Sequence, residues 1–254
     1  MGKLIDNGIK WTGLLILSVS YLPAYAFTTV DEQIDHYLKV METGNYASKR
    51  EMLERLQWSG LSDPRLYDEV EKQPARQYLT AGLSKQTIDL LSHQVRALGY
   101  SGNERYRNTL MEIKKDASSS KLRGHARKAL IWLDRYIVWN KLIADAKINV
   151  EGKNAEVATY MKMLSVDNVF VQRIAARAIF HEKRRDPDLL ALIAEKLEAV
   201  YIRNGLDKEA QDTAAWFCKA IGQSNELVYG ELLSKVAGAT PYKKIRKYAK
   251  QYAL

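Results

Sequence analysis

Apolar residues recur at helical spacing along most of the chain. Ile34, Tyr37, Leu38 and Met41 show the pattern in its simplest form. Residues spaced by three, four and seven positions lie on one face of an amphipathic helix, whereas the alternation typical of strands is nearly absent. The pattern therefore predicts an all-α chain.

Capping signals divide this pattern into separate helices. Some pairs have the capping-box spacing, in which each side chain satisfies the other residue's free backbone N–H; they are Thr29 with Glu32 and Ser48 with Glu51. Others place a capping side chain before a proline at the first helical position; they are Asp63-Pro64, Asp186-Pro187 and Thr240-Pro241. Glycines are expected where helices end; the candidates are Gly60, Gly99, Gly205 and Gly222.

These signals predict about six antiparallel helix pairs. They lie near 30–42 with 49–58, 64–80 with 84–98, 103–116 with 120–145, 154–164 with 167–181, 187–203 with 207–221, and 225–237 with 241–253. A helix pair cannot bury its apolar face without neighbours. Residues 146–153 are therefore interpreted as a loop within one domain that spans residues 27–254.

An internal repeat supports this organisation. Residues 97–130 and 220–253 align without a gap at an offset of 123 positions. A fixed offset over such a length is typical of repeat proteins. The identical positions are Ala97, Gly99, Ser101, Tyr106, Leu110, Lys121, Arg123 and Ala126, which recur as Ala220, Gly222, Ser224, Tyr229, Leu233, Lys244, Arg246 and Ala249.

Residues 166–179 resemble the second helix of a HEAT repeat. The segment contains Asp167, an arginine and the small pair Ala175-Ala176, which lets neighbouring helices approach. Residues 121–130 and 244–253 are similar but lack the aspartate. The resemblance implies a right-handed superhelical solenoid of the HEAT or armadillo type, and it specifies a fold rather than a reaction. Tetratricopeptide-like stacking stays open because the repeat lengths are irregular.

The start of the chain has the pattern of a cleavable signal peptide. Lys3 and Lys10 precede the apolar run 11–22, which ends in a small-residue site with Ala26 at its end. Residues 1–26 are therefore predicted to be removed, which places the mature chain in the periplasm or outside the cell. An uncleaved anchor is the alternative, although the run is short for a bilayer. No integral membrane segment is expected after cleavage.

The charge of the chain favours acidic partners. The formal net charge is +9, of which the predicted signal peptide contributes one unit. In an exported protein a basic surface favours an acidic protein segment or an acidic envelope polymer, and nucleic acid is not expected. The chain has one cysteine, Cys218, so an intramolecular disulfide is impossible.

Patterns for catalysis are incomplete. Residues 118–121 fit S-x-x-K, but the other elements of a penicillin-recognising enzyme are missing. His181 and Glu182 lack the second histidine of a zinc-protease motif. We therefore expect no enzyme, no cofactor and no metal. A cryptic enzyme that uses Asp212 beside Trp216 is the minor alternative, and a HEAT-like DNA glycosylase becomes relevant if there is no signal peptide.

Pairs of cations four positions apart recur on the second helices of the pairs, each flanking a small residue. In the HEAT resemblance second helices line the concave face, so these cations would form a basic groove. The candidate binding residues are Arg96, Arg123, Arg127, Arg173, Arg177, Asp212, Trp216, Arg246 and Lys250. Like charges at this spacing repel each other. The anionic counterpart is either a ligand or an internal charge ladder through Asp89, Asp167 or Asp212.

Together these features predict an exported, non-enzymatic binding or scaffold protein with a basic concave face. The alternative is a structural subunit of a larger envelope complex, in which the terminal helices rather than the groove make the contacts.

Overall fold

The computed structural model describes residues 27–254, so the predicted signal peptide lies outside the described residues. This part of the chain contains twelve α-helices, one short 3-10 turn and no strand. The helices are α1 Val30–Thr43, α2 Tyr46–Arg55, α3 Pro64–Gln77, α4 Lys85–Tyr100, α5 Arg107–Asp116, α6 Ser120–Ala144, α7 Ala155–Ser165, α8 Val169–His181, α9 Pro187–Val200, α10 Lys208–Gly222, α11 Leu227–Ala239 and α12 Lys243–Tyr252. The predicted all-α fold of six helix pairs is confirmed.

The predicted caps of α1 and α3 are confirmed, whereas Thr240-Pro241 does not start α12, which begins at Lys243 without a side-chain cap. Thr29 forms the complete capping box of α1 with Glu32, and Asp63 caps α3. Ser48 does not start α2, because Asn45 accepts a hydrogen bond from the Ser48 N–H and the helix begins at Tyr46. A cap with the three-residue spacing is present, but it joins Asn45 to Ser48, so the predicted start of α2 lies too far along the chain.

Two of the glycines predicted to end helices lie in the last turns of α4 and α10 and also have a packing role. Gly99 lies inside α4, where a Cβ atom would come within 2.6 Å of the Ala129 carbonyl oxygen of α6. Gly222 closes α10, and a Cβ atom there would meet the Tyr252 ring at 2.3 Å. These glycines permit close approach of the next second helix rather than a reversal of the backbone.

The second helices of the pairs form two rows, α2–α4–α6 and α8–α10–α12, with the first helices packed alongside them. Two hydrophobic clusters accompany these rows, and the cluster of the second row also includes Tyr100 of α4 and Tyr136, Trp139 and Ile143 of α6. We refer to residues 27–145 as the first half and to residues 155–254 as the second half. The connection between them, residues 146–153, contains no helix.

The 123-residue offset relates these halves over nearly their whole length. Four pairs of helices begin 123 positions apart: α2 and α8, α3 and α9, α4 and α10, and α6 and α12. Backbone conformations with positive φ recur at the same offset, namely at Gly60 with Lys183, Gly82 with Gly205, and Gly102 with Asn225. The repeating unit is therefore a block of three helix pairs.

Equivalent elements of the two halves meet each other. Helix α1 packs against α7, and the Ala155 N–H donates to the Phe27 carbonyl at 2.9 Å. Trp58 stacks on His181, its counterpart in the second half. Contact between equivalent positions is what a two-fold relationship produces, as in an isologous interface. The arrangement brings α2, α4 and α8 together around one cavity.

Within residues 27–254, no helix combines the length and the apolar character that crossing a bilayer requires.

Candidate ligand-binding cavity

A cavity of about 250 Å³ lies between the two halves. Helices α2 and α4 and the turn that follows α2 form most of its wall, and α8 contributes one residue from the second half. The lining residues are Leu53, Glu54, Gln57, Trp58, His93, Arg96, Tyr100 and Arg177.

Two lining residues carry buried donors that have no acceptor. Neither the Trp58 indole Nε1 nor the Arg177 Nε has a hydrogen-bond partner. Among the described residues, no carboxylate forms an ion pair with Arg177. A buried donor left unsatisfied costs about 1–3 kcal/mol, and native structures contain few of them. Both donors belong to residues of the cavity wall, and the described chain supplies no acceptor for either of them.

The remaining polar wall leaves the cavity positive. Arg96 donates from Nη2 to the His93 Nδ1 at 2.6 Å. Burial, with Arg96 next in importance, lowers the pKa of His93, so its ring is neutral and accepts this bond. Glu54 is the acid among the lining residues, and it accepts a hydrogen bond from Arg50 at 3.1 Å. Arg96 and Arg177 therefore outweigh the acid in the wall.

An aromatic and cationic surface continues from the cavity onto α8 and α10. His181 packs against Trp58 and lies 5.7 Å from Trp216, measured between ring centroids. The Arg177 guanidinium lies 5.3 Å from the centre of the Trp216 ring, and the Lys219 ammonium lies 3.6 Å from it. Burial, and then repulsion from Arg177, lower the pKa of Lys219. Two cations thus share one aromatic platform.

The structure places the predicted binding residues in three different settings. Arg96 and Arg177 line the cavity, and Trp216 lies beside it. Arg127 and Lys250 are exposed on α6 and α12.

The other predicted cations make contacts within the protein. Arg123 donates to the carbonyl of Ala117 at the end of α5, and Arg246 donates to Thr240 at the end of α11. These two bonds are equivalent under the 123-residue offset. Both satisfy a helix-terminal carbonyl, which would otherwise lack a partner.

Asp212 is the centre of an internal charge ladder. Arg173 binds it at 2.8 Å and also binds Glu209 at 2.5 Å, while Lys244 reaches Asp212 at 2.5 Å. Burial alone would raise the pKa of Asp212, but the bonds from Lys244 and Arg173 hold it below its usual value. In the first half Lys121 binds Asp89 at 2.8 Å in the equivalent way. These contacts form the internal charge ladder that was one of the two alternatives for the anionic counterpart.

Sequence reasoning missed several residues of the cavity and its surroundings, namely Trp58, His93, Tyr100, His181 and Lys219. The offset of 123 contained part of the signal, because it pairs Trp58 with His181 and His93 with Trp216. These pairs differ in residue type, so identical residues do not mark them in the sequence. Within residues 27–254, no group of three or more His, Cys, Asp or Glu side chains is placed to hold a metal ion.

No protein-family model and no curated protein matches this chain. Among solved structures, it is similar to human deoxyhypusine hydroxylase in complex with glycerol, at 10% sequence identity and a TM-score of 0.33, over 87% of this chain and 83% of that chain. That neighbour has HEAT-like helical repeats and is an enzyme. That finding contradicts the expectation that this chain is not an enzyme.

Proposed function

We propose that the protein is an exported binding protein that holds an acidic segment of a partner protein at the cavity between its halves. The observation that carries the proposal is the pair of buried donors without acceptors, Trp58 Nε1 and Arg177 Nε, in a wall where cations outnumber acids. Arginine suits this task because its planar fork donates two hydrogen bonds to a carboxylate.

The surface beside the cavity supports an anionic ligand for a second reason. Arg177 and Lys219 both lie over the Trp216 ring, and the nearby charge of Arg177 lowers the pKa of Lys219. An acidic residue bound between them would relieve this repulsion. Binding would therefore raise the pKa of Lys219, and the aromatic platform would cover the apolar part of the bound segment.

The test is fluorescence anisotropy with labelled hexaglutamate, and with labelled hexalysine as the control peptide. Wild type should bind hexaglutamate, and affinity should fall between about 50 and 300 mM salt because exposed charges are screened. Arg177→Gln should weaken binding by about tenfold or more, since a charged hydrogen bond is lost. Arg127→Gln removes an exposed arginine of the same charge and should change affinity by less than about twofold.

Equal losses in the two variants would mean attraction to net charge rather than a site. Failure of wild type to bind hexaglutamate would overturn the proposal. A parallel titration with polygalacturonate tests an acidic polymer as the ligand, and tighter, Arg177-dependent binding of that polymer would replace the peptide by a polysaccharide.

Export is the second part of the proposal. It is supported by the pattern of residues 1–26 and by Phe27, the predicted first mature residue. Phe27 is buried, packs against His36 and Tyr37, and joins α1 to the second half through its carbonyl. Mass spectrometry of the native protein from the envelope fraction should find a chain that begins at Phe27. An intact chain that begins at Met1 in the cytoplasm would overturn export and would favour nucleic acid as the anionic ligand.

A further inference from the structure

The geometry of the cavity points to a more specific ligand group: we infer that it seats one aliphatic carboxylate, as an acidic side chain or a chain terminus carries. The inference rests on the proposed function and names the chemical group that the cavity recognises. It depends on the donors, the volume and the charge of the cavity wall.

A carboxylate carries two acceptor oxygens, and the cavity wall carries two N–H donors without a partner. Trp58 offers one indole N–H, and Arg177 offers its Nε–H next to the N–H groups of its terminal nitrogens. A guanidinium that uses this edge binds carboxylate through two parallel hydrogen bonds. Tryptophan cannot accept a hydrogen bond and arginine has no acceptor either, so both residues require an acceptor on the ligand.

The volume limits the ligand to a small group. Pockets for drug-sized ligands span roughly 300–1,000 Å³, whereas this cavity measures about 250 Å³. It can therefore hold one side chain or one chain terminus. Leu53 and the Tyr100 ring add apolar wall, which suits the methylene groups of an aliphatic acid.

The charge of the wall favours one negative charge over two. Glu54 lies in the wall, bound to Arg50 and 3.7 Å from the His93 ring. A monoanion would balance Arg177 with little repulsion from Glu54. A phosphate carries up to two charges at neutral pH, and the additional charge would lie beside this carboxylate. The wall therefore favours a carboxylate over a phosphate.

The Trp58 indole N–H gives a direct measurement, because a donor that gains an acceptor shifts its proton resonance downfield. The experiment is a two-dimensional ¹H–¹⁵N spectrum of the mature protein titrated with sodium glutarate, with neutral glutaramide as the matched control and with inorganic phosphate as the competing anion. The Trp58→Phe variant assigns the signal among those of Trp58, Trp132, Trp139 and Trp216.

We expect a saturable downfield shift of the Trp58 signal with glutarate, none with glutaramide, and weaker binding of phosphate. Arg177→Gln should weaken glutarate binding by about tenfold or more. Arg177→Lys should also bind glutarate weakly, because lysine keeps the charge but lacks the Nε donor. Arg127→Gln should bind as wild type does. The thermal midpoint of each variant confirms that it is folded.

Tighter binding of phosphate, or a Trp58 signal that does not move at saturating glutarate, would overturn the inference. The two proposals fail in different ways. Arg177-dependent hexaglutamate binding with an unmoved Trp58 signal would reject the carboxylate seat and leave the proposed function standing. A saturable glutarate shift of the Trp58 signal without hexaglutamate binding would reject the proposed function and leave the carboxylate site standing.

Discussion

Trp58 and His181 occupy equivalent positions of the two halves and stack directly on each other, with ring centroids 5.9 Å apart and planes inclined by 17°. The junction between the halves is thus built from two copies of one position. The cavity beside it is asymmetric because other equivalent positions differ. Glu54 corresponds to Arg177, and both line the same cavity.

The stack should contribute measurable coupling between the halves. A double-mutant cycle with Trp58→Ala and His181→Ala, followed by urea unfolding, should give a coupling free energy of about 0.5–1.5 kcal/mol, as for other ring pairs. The control cycle pairs Trp58→Ala with Arg185→Ala, an exposed residue, and should give a value near zero. Similar couplings in the two cycles would show that the stack does not join the halves.

Stability should fall as the pH drops below about 6.5. Burial is the main cause that lowers the pKa of every histidine in residues 27–254, and His125 is lowered to about 4; the others are His36, His93 and His181. The unfolded chain therefore takes up protons at a higher pH than the folded chain does. The stabilisation is complete above the unfolded pKa of about 6.5 and is lost as the pH falls toward the folded pKa.

The measurement is urea unfolding of wild type and His125→Gln between about pH 7.5 and pH 4.5. The variant should lose less stability over this interval, because it lacks the group with the largest shift. A variant whose stability has the same pH dependence as wild type would contradict the assignment.

The buried Arg184 of the second half should contribute strongly to stability. The Arg184 side chain is 10% exposed and binds both Glu156 and Glu182, whose side chains are 4% and 7% exposed. Arg184→Met would leave two buried carboxylates without their ion-pair partner, at a cost of about 3–5 kcal/mol. The neighbouring exposed Arg185→Met should cost less than about 0.5 kcal/mol.

The first half indicates a compensated variant of this network. The positions equivalent to Glu156, Glu182 and Arg184 are occupied by Gln33, Ser59 and Leu61. The triple variant E156Q/E182S/R184L should be more stable than Arg184→Met in urea unfolding, since it removes both stranded charges. If the triple variant is the less stable of the two, the network contributes through packing rather than charge.

Arginines with the same sequence pattern should separate into structural and exposed classes. Arg123→Gln removes the bond to the Ala117 carbonyl and should destabilise the protein by about 1–2 kcal/mol. Arg127→Gln, four positions later on the same helix, should change stability by less than about 0.5 kcal/mol. Neither should alter the glutarate titration. Loss of glutarate binding in Arg123→Gln with unchanged stability would return this residue to the binding groove.

The sequence predicts the helices well because each signal is local. Thr29 and Asp63 bond to backbone groups within three residues, so their spacing alone identifies the helix starts. The cavity depends on how the two halves meet, which no local pattern encodes. Arg123 and Arg177 both flank a small residue on a second helix, yet Arg123 bonds to a helix end and Arg177 lines the cavity.

Alanine substitutions at Gly99 and Gly124 should have opposite effects on stability, because only Gly99 lies in close contact with another helix. At Gly99 a Cβ atom would lie 2.6 Å from the carbonyl oxygen and 2.8 Å from the Cα atom of Ala129, and backbone cannot move aside cheaply. Gly99→Ala should therefore destabilise the protein by about 1–3 kcal/mol in urea unfolding, as overpacked sites do. At Gly124, inside α6, nothing lies within 4 Å of the added atom. Gly124→Ala should stabilise by about 0.5–1 kcal/mol through helix propensity, and a gain in both variants would mean that α4 and α6 are not in close contact at Gly99.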